Sequence, residues 1–237
     1  KSLAITGTLP EGTSVAYSNN DRTEVGTQEV TATITGSNFT TLVLTADLTI
    51  TPATITGISL EDDTFVFDGT AKSLAITGTL PEGTSVAYTN NDRTEVGIQE
   101  VTATISGSNY TTIILSAELR VTPRTLEVIA NPGQSKPYGA VDPVLTFTAT
   151  NFGNGDGLSN LSGGLRRAPG QAVGFYAINL GTLNAGPNYT INFTGADFEI
   201  LRVDRDGDGV PDDIEQVEGT NPTDPNDFKD SDGDEVS

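Results

Sequence analysis

The sequence predicts an all-β chain: tandem small modules, β-sandwich or β-grasp-like, set in a rod, with an acidic C-terminal tail that carries one short helix. Three observations predict it. The 237 residues include no Cys, His, Met or Trp but 26 Gly and 12 Pro, a vocabulary of short strands and turns. One stretch of 52 residues occurs twice, almost unchanged. The last 35 residues, from Val203, hold a net charge of −11 out of −20 for the whole chain.

The repeat sets the domain plan. Lys1–Pro52 realigns on Lys72–Pro123 without a gap at an offset of 71 residues, and 42 of the 52 positions are identical. The differences are mild: Phe39 against Tyr110, Leu42 against Ile113, Val43 against Ile114, Asp47 against Glu118. Such periodicity marks an array of small domains, each one repeat long. The units read as 1–52, a truncated copy without the counterpart of Ala53–Ala71; 53–123, a complete copy; 124–202, a divergent third module; and 203–237, an incomplete tail. Lys1–Gly7 reads as a strand rather than a signal peptide, so the chain reads as an excerpt whose neighbours are further modules of one longer chain.

Within the complete copy the apolar period is two. Val101, Ala103 and Ile105 alternate with threonines, and residues 113, 115, 117, 119 and 121 are apolar across from Thr112, Ser116, Glu118 and Arg120, with Ile114 the one break. That alternation is a strand with one face on a core. Turn signals separate the strands at Pro81-Glu82-Gly83, Asn90-Asn91-Asp92 and Gly107-Ser108-Asn109. The junctions Thr51-Pro52-Ala53 and Thr122-Pro123-Arg124 leave almost no linker. Proline fixes φ and lacks a donor, so it ends strand pairing and stiffens the joint. The third module keeps this grammar, with strands at Thr125–Ala130, Thr146–Thr148, Gly174–Ile178 and Tyr189–Phe193, and Asn188-Tyr189-Thr190 echoing Asn109-Tyr110-Thr111.

These motifs carry a family resemblance. Val66-Phe67-Asp68-Gly69, Ser108-Asn109-Tyr110-Thr111 and Val121-Thr122-Pro123 resemble bacterial MBG-type repeats. Lys136-Pro137-Tyr138-Gly139, Asp142-Pro143, Val173-Gly174-Phe175-Tyr176-Ala177 and Asn188-Tyr189-Thr190 resemble the YGX variety of that group. The resemblance implies a β-grasp-like fold and a stalk role in a large secreted adhesin-like protein, and it implies no catalytic or binding residue.

Composition narrows function further. Without His or Cys there is no Ser–His or Cys–His nucleophile pair and no zinc site of the usual kind. The negative charge disfavours nucleic acid and anionic membrane surfaces as partners. No apolar run approaches the roughly 20 residues that cross a bilayer. Glu61-Asp62-Asp63 reads as a solvated turn, Arg166-Arg167 beside Gly163-Gly164 as an exposed loop, and the sequons at Asn38, Asn109, Asn160, Asn188 and Asn192 as turns leading into strands. No residue is assigned to catalysis, and the chain is not expected to be an enzyme.

The tail has its own chemistry. From Asp204 a 12-residue window places carboxylates at positions 1, 3, 5, 9 and 12 (Asp204, Asp206, Asp208, Asp212, Glu215), glycine at 6 (Gly209) and a main-chain carbonyl at 7 (Val210). This is the spacing of a Ca²⁺ loop, in which alternate residues of a tight turn point inward and a terminal Glu closes the far side. Mg²⁺ fits less well because it keeps more of its waters. Pro211 at position 8 has no N–H for the bridge that joins paired loops, so the loop stands alone. It suits the first position of a short exit helix, Pro211–Glu218, with Asp212 and Asp213 at the positive end, Gly219 as the stop and Ile214, Val217 and Phe228 as an apolar anchor. A second loop begins at Asp230, Asp232 and Asp234. The tail resembles thrombospondin type 3 calcium repeats, which implies Asp204, Asp206, Asp208, Asp212 and Glu215 as ligands, with Asp230, Asp232 and Asp234 after them. An affinity of roughly 10⁻⁴–10⁻³ M is expected of an extracellular module.

The reading is therefore a stalk segment of an adhesin at the cell surface or outside the cell, stiffened by Ca²⁺ at its acidic end, with an unknown surface or glycan receptor as its target. The alternatives are a glycan-binding module that uses Tyr88, Tyr110 or Tyr176, and an accessory segment of an extracellular enzyme.

Overall fold

A computed structural model describes residues 1–227. The chain divides into two compact units: residues 1–63, 72–93 and 98–120 make one, and residues 64–71, 94–97 and 121 onward make the other. Among the described residues no helix is long and apolar enough to cross a membrane.

In the first unit, β1 (Thr13–Ser18), β2 (Gly26–Gly36) and β3 (Phe39–Ile50) form an antiparallel sheet in that order. The second copy supplies β4 (Ser59–Leu60), β5 (Asp63–Val66), β6 (Ile76–Thr77), β7 (Ser85–Thr89), β8 (Gly97–Ser106) and β9 (Ile113–Thr122), with β8 between β7 and β9. Register repeats with sequence: Val15 faces Ile34 in the first copy, and Val86 faces Ile105 in the second. The period of two holds, since Val101, Ala103, Ile105 and Leu119 are fully buried while Ile114 is 67% exposed.

Two near-identical sequences nevertheless differ in burial. Ile105 is fully buried and Ala117 buried, whereas Ile34 is half-buried and Ala46 exposed. The cause is the segment after the junction proline. Ile55 and Leu60 are buried there, Leu60 pairs with Ile76 across β4 and β6, and Asp62 accepts the Glu118 N–H at 2.6 Å. The described residues begin at the position matching Lys72 and include no counterpart of this segment, and Phe39, Leu42 and Leu44 are 42–51% exposed.

The same difference corrects one expectation. Lys1–Gly7 is not a strand, because a strand needs a ladder partner and β4 has no equivalent for Ile5 and Thr6. Side chains take over the backbone groups instead. The Asn20 amide accepts the Leu3 N–H at 2.7 Å and donates to the Leu3 carbonyl at 2.8 Å. Tyr17 accepts the Ile5 N–H at 3.0 Å. Asn91 with Leu74 and Tyr88 with Ile76 repeat both arrangements.

The second unit holds β10 (Arg124–Ala130), β11 (Gln134–Pro137), β12 (Phe147–Thr150), β13 (Arg166–Arg167), β14 (Gly174–Asn179), β15 (Tyr189–Thr194) and β16 (Asp197–Leu201). They make two sheets, β12-β10-β15 and β11-β16-β14-β13, with β10 parallel to β15 and β11 parallel to β16. Apolar residues of both sheets meet: Ala130 packs with Ile178, Phe198 and Ile200, and Leu126 and Val128 pack with Tyr189, Leu183 and Phe67. This is two-sheet packing, and the sandwich alternative describes it better than β-grasp does.

The Lys136-Pro137-Tyr138-Gly139 and Asp142-Pro143 motifs acquire a structural role here. Lys136 and Arg167 are buried, at 4% and 8% exposure, and share the carboxylate of Asp142. The Arg167 guanidinium donates to both Asp142 oxygens, at 2.7 and 2.9 Å, and to the carbonyls of Ala168 and Gly170. Its face lies 5.0 Å from the Tyr176 ring centre and 5.4 Å from that of Phe198. The expected exposed loop at Arg166-Arg167 is therefore half wrong. Arg166 is exposed, but β13 pairs with β14 and turns Arg167 inward, where the carboxylate and the two rings hold it.

Hydrogen bonds from Arg167, then from Lys136, hold the Asp142 carboxyl down at about 2 against an ordinary value of 3.8. A depressed carboxylate contributes stability above its unfolded value and loses it as pH falls through the folded one. The second unit is thus expected to weaken between pH 3.8 and about 2, and Asp142→Asn to flatten that part of an acid-unfolding curve. An unchanged curve in the variant would remove Asp142 from the acid response.

Candidate metal centre

The tail leaves β16 at Leu201 and winds at once into a closed loop. The Asp212 N–H donates to the Val203 carbonyl at 2.9 Å and ties the loop's ends. Inside, short acidic side chains accept main-chain N–H groups, as Asp does in tight turns. Asp204 accepts those of Gly207 and Gly209 at 2.8 and 3.2 Å, and Asp208 accepts that of Val210 at 2.7 Å. Gly209 sits at φ 95°, a conformation that costs a side-chain-bearing residue energy.

This winding brings one carboxylate oxygen from each of Asp204, Asp206 and Asp208 within 4.8 Å of the others. Glu215, on the helix that follows, is not one of that group of three but lies near enough for their charges to act on it. It is 1% exposed, and neither of its carboxylate oxygens has a hydrogen-bond partner; one buried oxygen each of Asp206 and Asp208 is also without one. Burial pushes the Glu215 carboxyl up, and the charges of Asp206, Asp208, Asp212 and Asp204 push it further. Burial likewise raises Asp206, with Asp208 and Asp204 adding to the effect. Burying a charge without compensation is costly. An all-oxygen donor set of this density fits a hard divalent cation. Asp212 is placed differently: it is 1% exposed, accepts the Arg205 N–H at 2.8 Å and lies 3.1 Å from the Arg205 guanidinium.

The exit helix, α1, spans Asp212–Glu218. Pro211 precedes it as the cap residue at ψ 145° rather than taking the first helical position. Gly219 ends it in the left-handed region at φ 84°, its N–H on the Glu215 carbonyl at 2.7 Å. Among the described residues the expected apolar anchor does not form, since Ile214 is 36% and Val217 86% exposed. Polar contacts take its place: Tyr138 donates to Gln216 Oε1 at 2.5 Å, Arg202 pairs with Asp213 at 3.2 Å, and Arg205 donates to the Tyr138 carbonyl at 3.3 Å. A helix of two turns presents too little apolar surface to dock by burial, and a hydroxyl reaching a side-chain amide needs none. Nothing in the local pattern points to this pairing beyond the presence of Tyr138 in its motif. Phe228, Asp230, Asp232 and Asp234 lie outside the described residues.

The tyrosines considered for a sugar groove are occupied by the fold. Tyr88 accepts the Ile76 N–H at 2.9 Å, Tyr176 donates to the Ala172 carbonyl at 2.7 Å, and Tyr110 is half-buried at an isolated bridge to Ala53.

Comparison with known proteins bears on the modules and stops short of the tail. No curated protein matches the chain. Solved structures that match include a SusE-like surface-located polysaccharide-binding protein of Bacteroides thetaiotaomicron, at 8% identity and a TM-score of 0.24 over 83% of this chain and 56% of that one. The surface glycan-binding protein B of the Bacteroides ovatus mixed-linkage glucan locus matches at 12% identity and a TM-score of 0.21, over 86% and 64%. The protocadherin γB4 ectodomain matches at 11% and 0.22, over 83% and 43%. The chain thus spans about half the length of these structures, and at such TM-scores they support no inference about it. The family matches are of another kind: residues 56–125 match the MBG domain and residues 126–199 the MBG domain of the YGX type. The chain therefore carries two MBG-type domains in tandem, followed by a separate acidic segment.

Proposed function

We propose that this chain is a non-catalytic stalk segment of a secreted or cell-surface adhesin, stiffened by Ca²⁺ at its acidic end. The tandem MBG-type domains support the stalk reading. In it, neighbouring modules of the same longer chain are the immediate partners, and a surface or glycan receptor is met elsewhere. One observation carries the calcium reading: Glu215, 1% exposed with both carboxylate oxygens unpartnered, among the charges of four aspartates. Asp204, Asp206, Asp208, Asp212 and Glu215, with the Val210 carbonyl, would hold the ion in the manner of a thrombospondin type 3 repeat. The ion supplies the positive charge that lets these carboxylates share one loop. Asp230, Asp232 and Asp234 would serve a following loop.

Calorimetric titration of the chain with CaCl₂, read beside the amide signals of α1, tests this. One high-occupancy site with an affinity of roughly 10⁻⁴–10⁻³ M is expected, and Asp206→Asn is expected to remove its heat. EDTA is expected to loosen α1 while the β modules melt as before. Absence of heat and of any shift in the α1 amides well above that concentration range would refute the calcium reading and leave the stalk reading standing.

A further inference from the structure

The sequons Asn109-Tyr110-Thr111 and Asn188-Tyr189-Thr190 do more than turn the chain. In the first unit, Asn109 of the second copy accepts the Val25 N–H of the first copy on its Oδ1 at 2.9 Å and donates from Nδ2 to Glu24 Oε2 at 2.5 Å. In the second unit, Asn188 of the third module accepts the Val96 N–H of the second copy at 3.0 Å and donates from Nδ2 to Glu95. Glu24-Val25 and Glu95-Val96 are the same loop, 71 residues apart.

The backbone around each asparagine repeats as well. The residue after the junction proline donates to the asparagine's carbonyl, Ala53 to Asn109 at 2.9 Å and Arg124 to Asn188 at 3.0 Å. The pairing that follows is parallel in both cases, Ala53 with Tyr110 and Arg124 with Tyr189. One asparagine thus binds three things: the first residue of its own module through its carbonyl, the preceding module's valine N–H through Oδ1, and that module's glutamate through Nδ2. A carboxamide suits this place because it accepts and donates at once. Aspartate in its stead would set a carboxylate against the glutamate.

We propose that this asparagine is the recognition residue between consecutive repeats, and that its partner is a Glu-Val-Gly loop on the repeat before it. The third module has diverged from the second copy across most of its length, yet it keeps this contact. Recognition by the clamp, rather than by proline alone, therefore joins modules of different sequence. The arrangement also closes Asn109 and Asn188 to glycosylation, since Nδ2 is the atom to which a sugar would be attached and it faces a glutamate. This inference is independent of the calcium site.

Amide hydrogen exchange of the full chain tests it. Asn188→Ala is expected to speed exchange at Val96 by about 3- to 10-fold, the loss of one neutral hydrogen bond, and to leave Val25 unchanged; Asn109→Ala is expected to do the reverse. Asn38→Ala, the matching residue on the exposed turn of the first copy, is expected to change neither. Glu95→Ala is expected to speed exchange at Val96 alone, and to add nothing in the Asn188→Ala background. Should Asn188→Ala unfold the third module, the Asn109→Ala and Glu95→Ala variants still give the answer. Val96 and Val25 exchanging at the wild-type rate in all of them, or equally fast in Asn38→Ala, would overturn the proposal.

Discussion

Arg167→Ala is expected to cost the second unit about 3 kcal/mol, the low end of the 3–5 kcal/mol that removal of one partner from a buried ion pair costs. The low end applies because Asp142 is 42% exposed at its side chain and can turn to water or to Lys136. What cannot be recovered is the rest of the guanidinium's contacts. The carbonyls of Ala168 and Gly170 lose their donor, and the space between Tyr176 and Phe198 is left unfilled. Arg167→Lys is expected to recover little of this, because an ammonium neither reaches both Asp142 oxygens as a fork nor lies flat between two rings. Urea unfolding followed through tyrosine fluorescence measures it. A loss well under 1 kcal/mol for Arg167→Ala would mean that the network behaves as a surface pair, and that the Lys136 and Asp142 motifs have some other purpose.

That network also marks where the sequence stops being legible. Strand positions in the repeats were readable because an alternating pattern is local: Val101, Ala103 and Ile105 each occupy the face that their period assigns them. The burial of Arg167 is not legible locally, because it depends on Asp142, 25 residues earlier, and two glycines beside a basic pair look like a loop from within a short window. The asparagine clamps look like simple turns for the same reason. The turn is local, but the Glu24 and Glu95 that it holds lie 85 and 93 residues away in sequence. Lys1–Gly7 differs in the opposite sense: its residues match Lys72–Gly78, but the described residues hold no counterpart of Ser59–Leu60 with which Ile5 and Thr6 could pair.

At the acidic end the ligand spacing was legible because oxygen donors at alternate positions of one turn are again a local pattern. The docking of α1 was not. Tyr138 and Gln216 are separated by 78 residues, and the hydrophobic residues of the helix suggested an anchor that its two turns are too short to make.

Glu215→Gln is expected to act in opposite directions with and without calcium. In EDTA the wild-type loop gathers the charges of Asp204, Asp206, Asp208 and Asp212 around a buried glutamate that has no donor of its own. A glutamine of the same shape removes one of those charges and brings an N–H₂ group to a place where Asp206 and Asp208 each have an unpartnered oxygen. Amides of α1, Ile214 and Gly219 among them, are then expected to exchange more slowly than in the wild type. In saturating calcium the order reverses. The variant has lost a charged ligand, and its affinity is expected to fall by at least the roughly 10–100-fold that losing even an outer-shell partner costs a metal site, so the wild-type helix becomes the more protected. Glu218→Gln removes the same charge from an exposed position on the same helix and is expected to produce neither change. A glutamine variant that loosens α1 in both solutions would mean that Glu215 supports the helix by some contact unrelated to a cation. A variant that leaves the calcium affinity intact would mean that the ion is held by the aspartates alone.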